Sequence, residues 1–333
     1  MEHPMKPIGN WGLISGIFIL LLALCGAAKP EPAGWPATIT IGTASPGGPY
    51  YVYGQEIAHV LSRTLGIEIN AQVTQGPAQN IVLMERREAL LGFITTGVGL
   101  QAWNGTDWAK GTQYRSMRVM FPMYDTAFQF AVPKNRAMKS LKELSGLRIG
   151  VGPRAGTGGA YVPEILKTLR ITADIRFGAQ EQIMAQMASG EIDAVVVATG
   201  FPMPALAMLD AVKPLDFIQP TSDEIVNIRK QMPEITPSVI PAGTYQSLAQ
   251  DYHTVGLYNF AVAHKDLPDE LVYRIVKAVF ENHEELVKAQ SSAKETIPAN
   301  ISLNTILPLH PGALRYYREV GIPIPESALS PGN

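Results

Sequence analysis

Residues 39–51 read ITIGTASPGGPYY, and residues 148–161 read RIGVGPRAGTGGAY. Each is a short apolar run, then a loop too rich in glycine to be helical, then Gly-Gly-x-Tyr leading into a helical pattern. A strand that feeds a glycine loop and a helix start leaves backbone N–H groups without intrahelical partners, and these favour an anion. Two such loops, one per half, predict two lobes that close on a small anionic ligand.

Working outward, both halves follow one order. In the first, residues 38–41 read as a strand and 51–65 as a helix with Ile57, Val60 and Leu61 at helical spacing. Residues 68–73 alternate like a strand, 78–87 are helical, and 90–95 form a buried strand. In the second, the strands are 147–151, 174–177 and 192–198. The helices are 161–169, with Pro163 in the first turn, and 180–188. Gly76 and Asn80 correspond to Gly178 and Gln182, and the third strands end in Thr95-Thr96-Gly97 and Thr199-Gly200. Two tandem βαβαβ units predict an α/β protein of two doubly wound lobes. Ligands of such sheets sit at the carboxyl ends of the strands.

Residues 128–133 (FQFAVP) and 254–263 (TVGLYNFAVA) are extended and apolar and read as strands crossing between the lobes. This gives lobe 1 as 38–130 with 256–333, lobe 2 as 131–255, and a Pro-rich linker at 29–37. Residues 268–287 predict one amphipathic helix with Leu271, Ile275, Val279 and Phe280 on its apolar face. Residues 309–317 read as a short helix. Residues 217–241 read as irregular, with a small helix around 224–230.

The chain of 333 residues is 46% hydrophobic and 17% charged, which is globular composition, and its net charge of −2 supplies no basic field for nucleic acid. Residues 11–24 are apolar, follow Lys6, and precede the small residues Gly26, Ala27 and Ala28. This is the pattern of a signal peptide over 1–28, which implies export to the periplasm. An uncleaved membrane anchor over 11–28 is the rival reading. Cys25 is the single cysteine. Leu22 before it and Gly26 after it suit lipid attachment, Leu24 does not, and the plain reading is a residue lost with the signal. A mature chain without cysteine has no thiol chemistry and no Cys metal site.

No Lys-Ser or Lys-Thr follows either glycine loop, no Gly-x-Gly-x-x-Gly fits cleanly, and the six histidines are scattered without an HExxH pattern. No Gly-x-Ser-x-Gly elbow is present. The expectation is therefore a binding protein with no cofactor and no metal. The candidate ligand contacts are Thr43, Gly48, Tyr50 and Tyr51 at the first loop, Asn80, and the strand-end Thr95 and Thr96. In the second half they are Arg154, Gly156, Thr157 and Gly158, then Thr199, Gly200 and Phe201. One of the two tyrosines is expected in the core. Thr95, Thr96 and Thr199 equally suit strand-end capping, and Asn80 and Gln182 suit local helix capping. Arg154 is the one full positive charge in either loop. It reads either as a bidentate grip on a carboxylate or as a solvated loop side chain.

These residues, taken in order, resemble the TAXI group of solute receptors of TRAP transporters over nearly the whole mature length. The matching text is IGTASPGGPYYVYGQEIAHVL (41–61), LGFITTGVGLQAWNG (91–105) and IGVGPRAGTGGAYVPEILKTLRI (149–171). GEIDAVVVATGFPMPALAML (190–209), IPAGTY (240–245) and TVGLYNFAVAHKDLPDELVYRIVKAVFENHEEL (254–286) continue it. The resemblance implies a two-lobed fold of the type II periplasmic-binding-protein kind, acting as a monomeric receptor and not an enzyme. It implies delivery of a small organic anion (a dicarboxylate, a keto acid or a glutamate-like amino acid) to a sodium-driven permease. A receptor for a signalling partner and an exported enzyme on the same scaffold are the alternatives. The chain departs from the family at Thr95-Thr96-Gly97, where a polar set with an acid is usual, at Pro77, where Ser is usual, and at Ala44-Ser45-Pro46. Loss of the acid favours a ligand without an amino group.

Overall fold

A computed structural model describes residue 4 and residues 34–329. The expected signal segment and Cys25 lie outside the described residues. From Pro36 onward the chain is one compact unit.

The first repeat runs β1 (Thr38–Gly42), α1 (Pro49–Leu65), β2 (Glu68–Gln72), α2 (Pro77–Glu85), β3 (Leu91–Thr95) and α3 (Thr96–Asn104). The long strand β4 (Met117–Pro133) follows. The second repeat runs β5 (Arg148–Gly150), α4 (Thr157–Thr168), β6 (Asp174–Arg176), α5 (Gln180–Ser189), β7 (Ala194–Thr199) and α6 (Pro204–Val212). Then come β8 (Leu215–Phe217), α7 (Ser222–Gln231), β9 (Thr236–Ile240) and the second long strand β10 (Tyr252–His264). The chain closes with α8 (Asp269–Glu281), α9 (His283–Ala289) and α10 (Pro311–Glu319).

The sheet order is β2-β1-β3-β10-β4-β7-β5-β6, with β8 and β9 on the edges of β4 and β10. Each repeat contributes a parallel trio whose first strand is central, β2-β1-β3 and β6-β5-β7. Each trio is completed by the strand that follows the other repeat. Thr95 to Leu91 pairs antiparallel with Asn259 to Ala263 of β10, and Val195 to Thr199 pairs antiparallel with Ala131 to Ala127 of β4. β4 and β10 also pair with one another. The expected crossing strands are thus the spine of the sheet. Their hydrophobic runs are continuous because both faces are covered: Phe121, Phe128, Phe130, Val255, Leu257 and Phe260 are fully buried.

Helix α8 buries Leu271, Val272, Ile275, Val276 and Val279 on a stripe of 3.6-residue period against α1 and α10. The expected single helix over 268–287 divides at Asn282. Asn282 ends α8 with both its backbone N–H and its side-chain amide donating to the Ala278 carbonyl, at 3.1 and 2.7 Å.

Two further expectations needed correction. The helix after the second glycine loop begins at Thr157, four residues before the expected 161, so Pro163 lies inside α4 and not in its first turn. The glycines that looked like loop lie in the first turn of the helix, where the backbone passes too close for a side chain. A Cβ on Gly158 would lie 2.4 Å from the Val151 carbonyl oxygen, and one on Gly159 would lie 2.3 Å from that of Arg154. Residues 217–241 are also more regular than expected. Thr221 and Glu224 form a reciprocal capping box that starts α7, and β9 adds to the edge of β10.

Candidate functional site

The carboxyl ends of β1, β3, β5 and β7 meet, and a cavity of about 50 Å³ lies there. Its walls are the starts of four helices. Gly48, Pro49 and Tyr50 come from α1; Gly76 and Pro77 from α2; Gly156, Thr157 and Gly158 from α4; and Gln180 from α5. Thr126 of β4, with Ala198, Thr199 and Gly200 at the end of β7, forms part of the remaining wall. Among the described residues, no Asp, Glu, Lys, Arg or His lines it. Helix starts in the wall favour negative charge there without a cationic side chain in the lining.

Each glycine loop is bonded to helix starts of the other half. The Ala78 N–H donates to the Ala155 carbonyl at 3.1 Å, and the Ala205 N–H donates to the Gly47 carbonyl at 3.1 Å. The Gln180 N–H donates to the Ser45 hydroxyl at 3.3 Å. Thr95 and Thr157 hydroxyls, both buried, lie 3.2 Å apart. Gly76 sits at φ +115 and its α-carbon faces Gly156, where a Cβ would come within 3.1 Å of the Gly156 α-carbon. The left-handed geometry and the close approach both call for glycine there.

Tyr50 is set from behind. Its hydroxyl donates to Asn259 Oδ1 at 2.5 Å, and the Thr126 hydroxyl donates to the same oxygen at 2.9 Å. The ring meets Phe93 edge-on at 5.4 Å and Tyr124 at 6.3 Å. Burial raises the Tyr50 hydroxyl well above the ordinary phenol range, so it stays a neutral donor. The Tyr124 hydroxyl is buried beside this group without a hydrogen-bond partner.

Of the residues singled out by sequence, the cavity brings together Gly48, Tyr50, Gly156, Thr157, Gly158, Thr199 and Gly200. Tyr50 is core and cavity wall at once; Tyr51 is half-buried and outside the wall. Thr43 and Asn80 lie beneath the wall. The Thr43 hydroxyl donates to the Gln72 carbonyl at 2.7 Å. Asn80 donates to the Thr43 and Phe93 carbonyls at 2.8 and 2.9 Å and accepts from the Thr74 hydroxyl at 2.7 Å. These bonds tie β1, β3 and α2 together. Thr95 is fully buried behind Thr157. Thr96 and Phe201 line a different cavity. Arg154 is exposed at the outer mouth, and its guanidinium lies 3.8 Å over the Phe177 ring.

Sequence reasoning did not single out Ser45, Gln75, Thr126, Gln180 or Asn259. Asn259 carried a usable signal, because a lone amide inside the apolar run TVGLYNFAVA must find partners when buried.

The architecture is that of the periplasmic binding proteins. A structure titled as a periplasmic transporter is 17% identical, covers 77% of this chain and 87% of its own, and superposes with a TM-score of 0.52. PhnD1 from Prochlorococcus marinus, solved in complex with methylphosphonate, is 15% identical over 86% of this chain and 99% of its own, with a TM-score of 0.50. At these identities the likeness is one of fold. Among the described residues no helix is long and apolar enough to cross a membrane. A family model matches residues 41–321, most of the chain, and by that match the chain belongs to the NMT1-like family.

Proposed function

We propose that this protein is an extracytoplasmic solute receptor that captures a small organic anion and passes it to a membrane permease. The observation that carries the reading is the cavity itself: four helix starts converge on a space with no charged side chain. Such a site neutralises an anion through backbone N–H groups and hydroxyls. It offers no carboxylate, imidazole or amine to move a proton, which favours recognition over turnover. The periplasmic-binding-protein fold is consistent with this role. The sequence resemblance to TAXI receptors favours a TRAP-type permease as the recipient.

At about 50 Å³ the cavity is far smaller than the 300–1,000 Å³ usual for organic ligands. Entry therefore requires the glycine loops to part. Three hydrogen bonds cross the mouth with backbone donors, at Ala78–Ala155, Ala205–Gly47 and Gln180–Ser45. Each contributes about 0.5–1.5 kcal/mol net, a barrier a ligand can repay with its own contacts. The absence of an acid in the wall leaves an ammonium group unpaired. The favoured class is thus a dicarboxylate or keto acid ahead of a glutamate-like amino acid. A thermal-shift screen of these three classes tests the reading, because a specific ligand raises the melting temperature by mass action. Stabilisation by a keto acid or dicarboxylate is expected. Stabilisation by glutamate alone overturns the ligand class, and no stabilisation by any small organic anion overturns the function.

A further inference from the structure

A second cavity, of about 560 Å³, opens on the other face of the two spine strands. It falls in the size range of small-molecule sites. Its polar floor is Asp125 of β4 and Glu295 of the 3-10 turn Ser291–Glu295, and Glu234 stands on its side wall. No Lys, Arg or His lines it. Its rim is apolar: Val239 and Leu303 are 43% and 47% exposed, and Ile306 continues the same wall.

We propose that this cavity is a second binding site that takes a small organic cation, an alkylammonium or alkylguanidinium. Its head lies between Asp125 and Glu295, and its apolar body lies against Leu303 and Ile306. Each carboxylate is fixed by a hydrogen bond: the Asp125 backbone N–H donates to Glu295 Oε2 at 3.1 Å, and the Ser238 hydroxyl donates to the Asp125 carboxylate. Glu234 is fixed by the Tyr161 hydroxyl, which donates to it at 2.7 Å. A cation between like charges relieves their repulsion and their desolvation together. The shift of these groups agrees with that geometry. Burial, with Glu295 adding, pushes Asp125 up to about 7, and burial raises Glu295. The exposed apolar rim supplies the wall that distinguishes a site for an organic cation from one for a bare ion. The site does not depend on the anion-receptor reading, since the two cavities share no lining residue.

Calorimetric titration with n-butylammonium and n-butylguanidinium chlorides tests the proposal. Saturable one-to-one binding is expected, weakened on the order of tenfold or more by Glu295→Gln. Leu303→Lys is the second variant. It lies at an exposed rim, so it leaves the core intact and fills the mouth with its own ammonium. It should abolish binding, while Thr157→Val, in the first cavity, should leave cation binding unchanged. Failure of both probes to bind at millimolar concentration overturns the proposal, as does binding that neither Glu295→Gln nor Leu303→Lys alters.

Discussion

Asp125 and Thr126 are neighbours on β4 and serve opposite faces of the sheet. Thr126 walls the small neutral cavity and Asp125 the larger acidic one. The period of two along a strand makes this division. It has a consequence for stability. Asp125 is raised in the folded protein from 3.8 to about 7, first by burial. An acid raised on folding contributes stability that is present below its unfolded value and lost as pH rises through the folded one. Glu295, Glu234 and Tyr258 face it, and Lys294 adjoins Glu295, so the window is set by this group of charges. Asp125→Asn should melt higher than the wild type at pH 8, with the advantage shrinking as pH falls and gone only below about pH 4. Melting curves across that range check it; a variant less stable at pH 8 contradicts it.

Asp193 behaves in the opposite sense. Arg148 binds it through Nε and Nη2 at 2.8 and 2.9 Å and through its backbone N–H at 3.0 Å, and Arg136 adds an ion pair. The Arg148 hydrogen bond, above all, holds the carboxyl well below its ordinary range. Its stability is present above the ordinary carboxylate value and is lost as pH falls from there through the depressed folded value. Both arginines are over a third exposed on their side chains, so solvent screens the pair. Asp193→Asn should cost about 1–2 kcal/mol at pH 7, with a smaller gap in strong acid, measured by urea unfolding.

Arg154 is predicted to steer and not to grip. Its guanidinium stacks on Phe177 outside the cavity wall. Arg154→Ala should slow anion association several-fold at low salt and change the equilibrium affinity by less than about 1 kcal/mol. Stopped-flow association rates at two ionic strengths read this. A loss of 2 kcal/mol or more in affinity contradicts it.

Asn80 is predicted to hold structure. Its amide donates to two buried carbonyls on β1 and β3. Asn80→Ala removes one donor from each, the Thr43 carbonyl keeping the Thr74 hydroxyl at 3.0 Å, and should cost about 1–3 kcal/mol in unfolding free energy, with anion affinity retained at temperatures where the variant is folded. Denaturant unfolding alongside a ligand titration separates the two effects.

The order β1-α1-β2-α2-β3 and its repeat were legible because each strand and helix carries its own period. The third helix of each repeat was not. The sequence pattern assigns no element to residues 96–104, where Gly97 and Gly99 interrupt the helical pattern of α3; a Cβ on Gly97 would lie 2.1 Å from the Tyr161 hydroxyl. Helix α6 was masked by the prolines at 202 and 204, although Pro204 sits at its first turn, where proline is tolerated. The glycine loops pointed to the small cavity between the helix starts because their chemistry is local. The lodging of Arg154 on Phe177 depends on a ring 23 residues away, and no spacing announced it. The acidic cavity was invisible for the same reason: Asp125 and Glu295 stand 170 residues apart and meet only through the fold.

The most direct test of the anion receptor is a calorimetric titration, comparing wild type, Thr157→Val and Arg154→Ala with the keto acid or dicarboxylate that stabilises the protein best. Thr157 walls the cavity at the start of α4, so its hydroxyl is where a bound anion would be held. The account predicts one-to-one binding in the wild type, a loss of about 1–3 kcal/mol in Thr157→Val, and near-wild-type affinity in Arg154→Ala. Full affinity in Thr157→Val with binding abolished in Arg154→Ala would contradict it, and would move the site from the neutral cavity to the charged mouth.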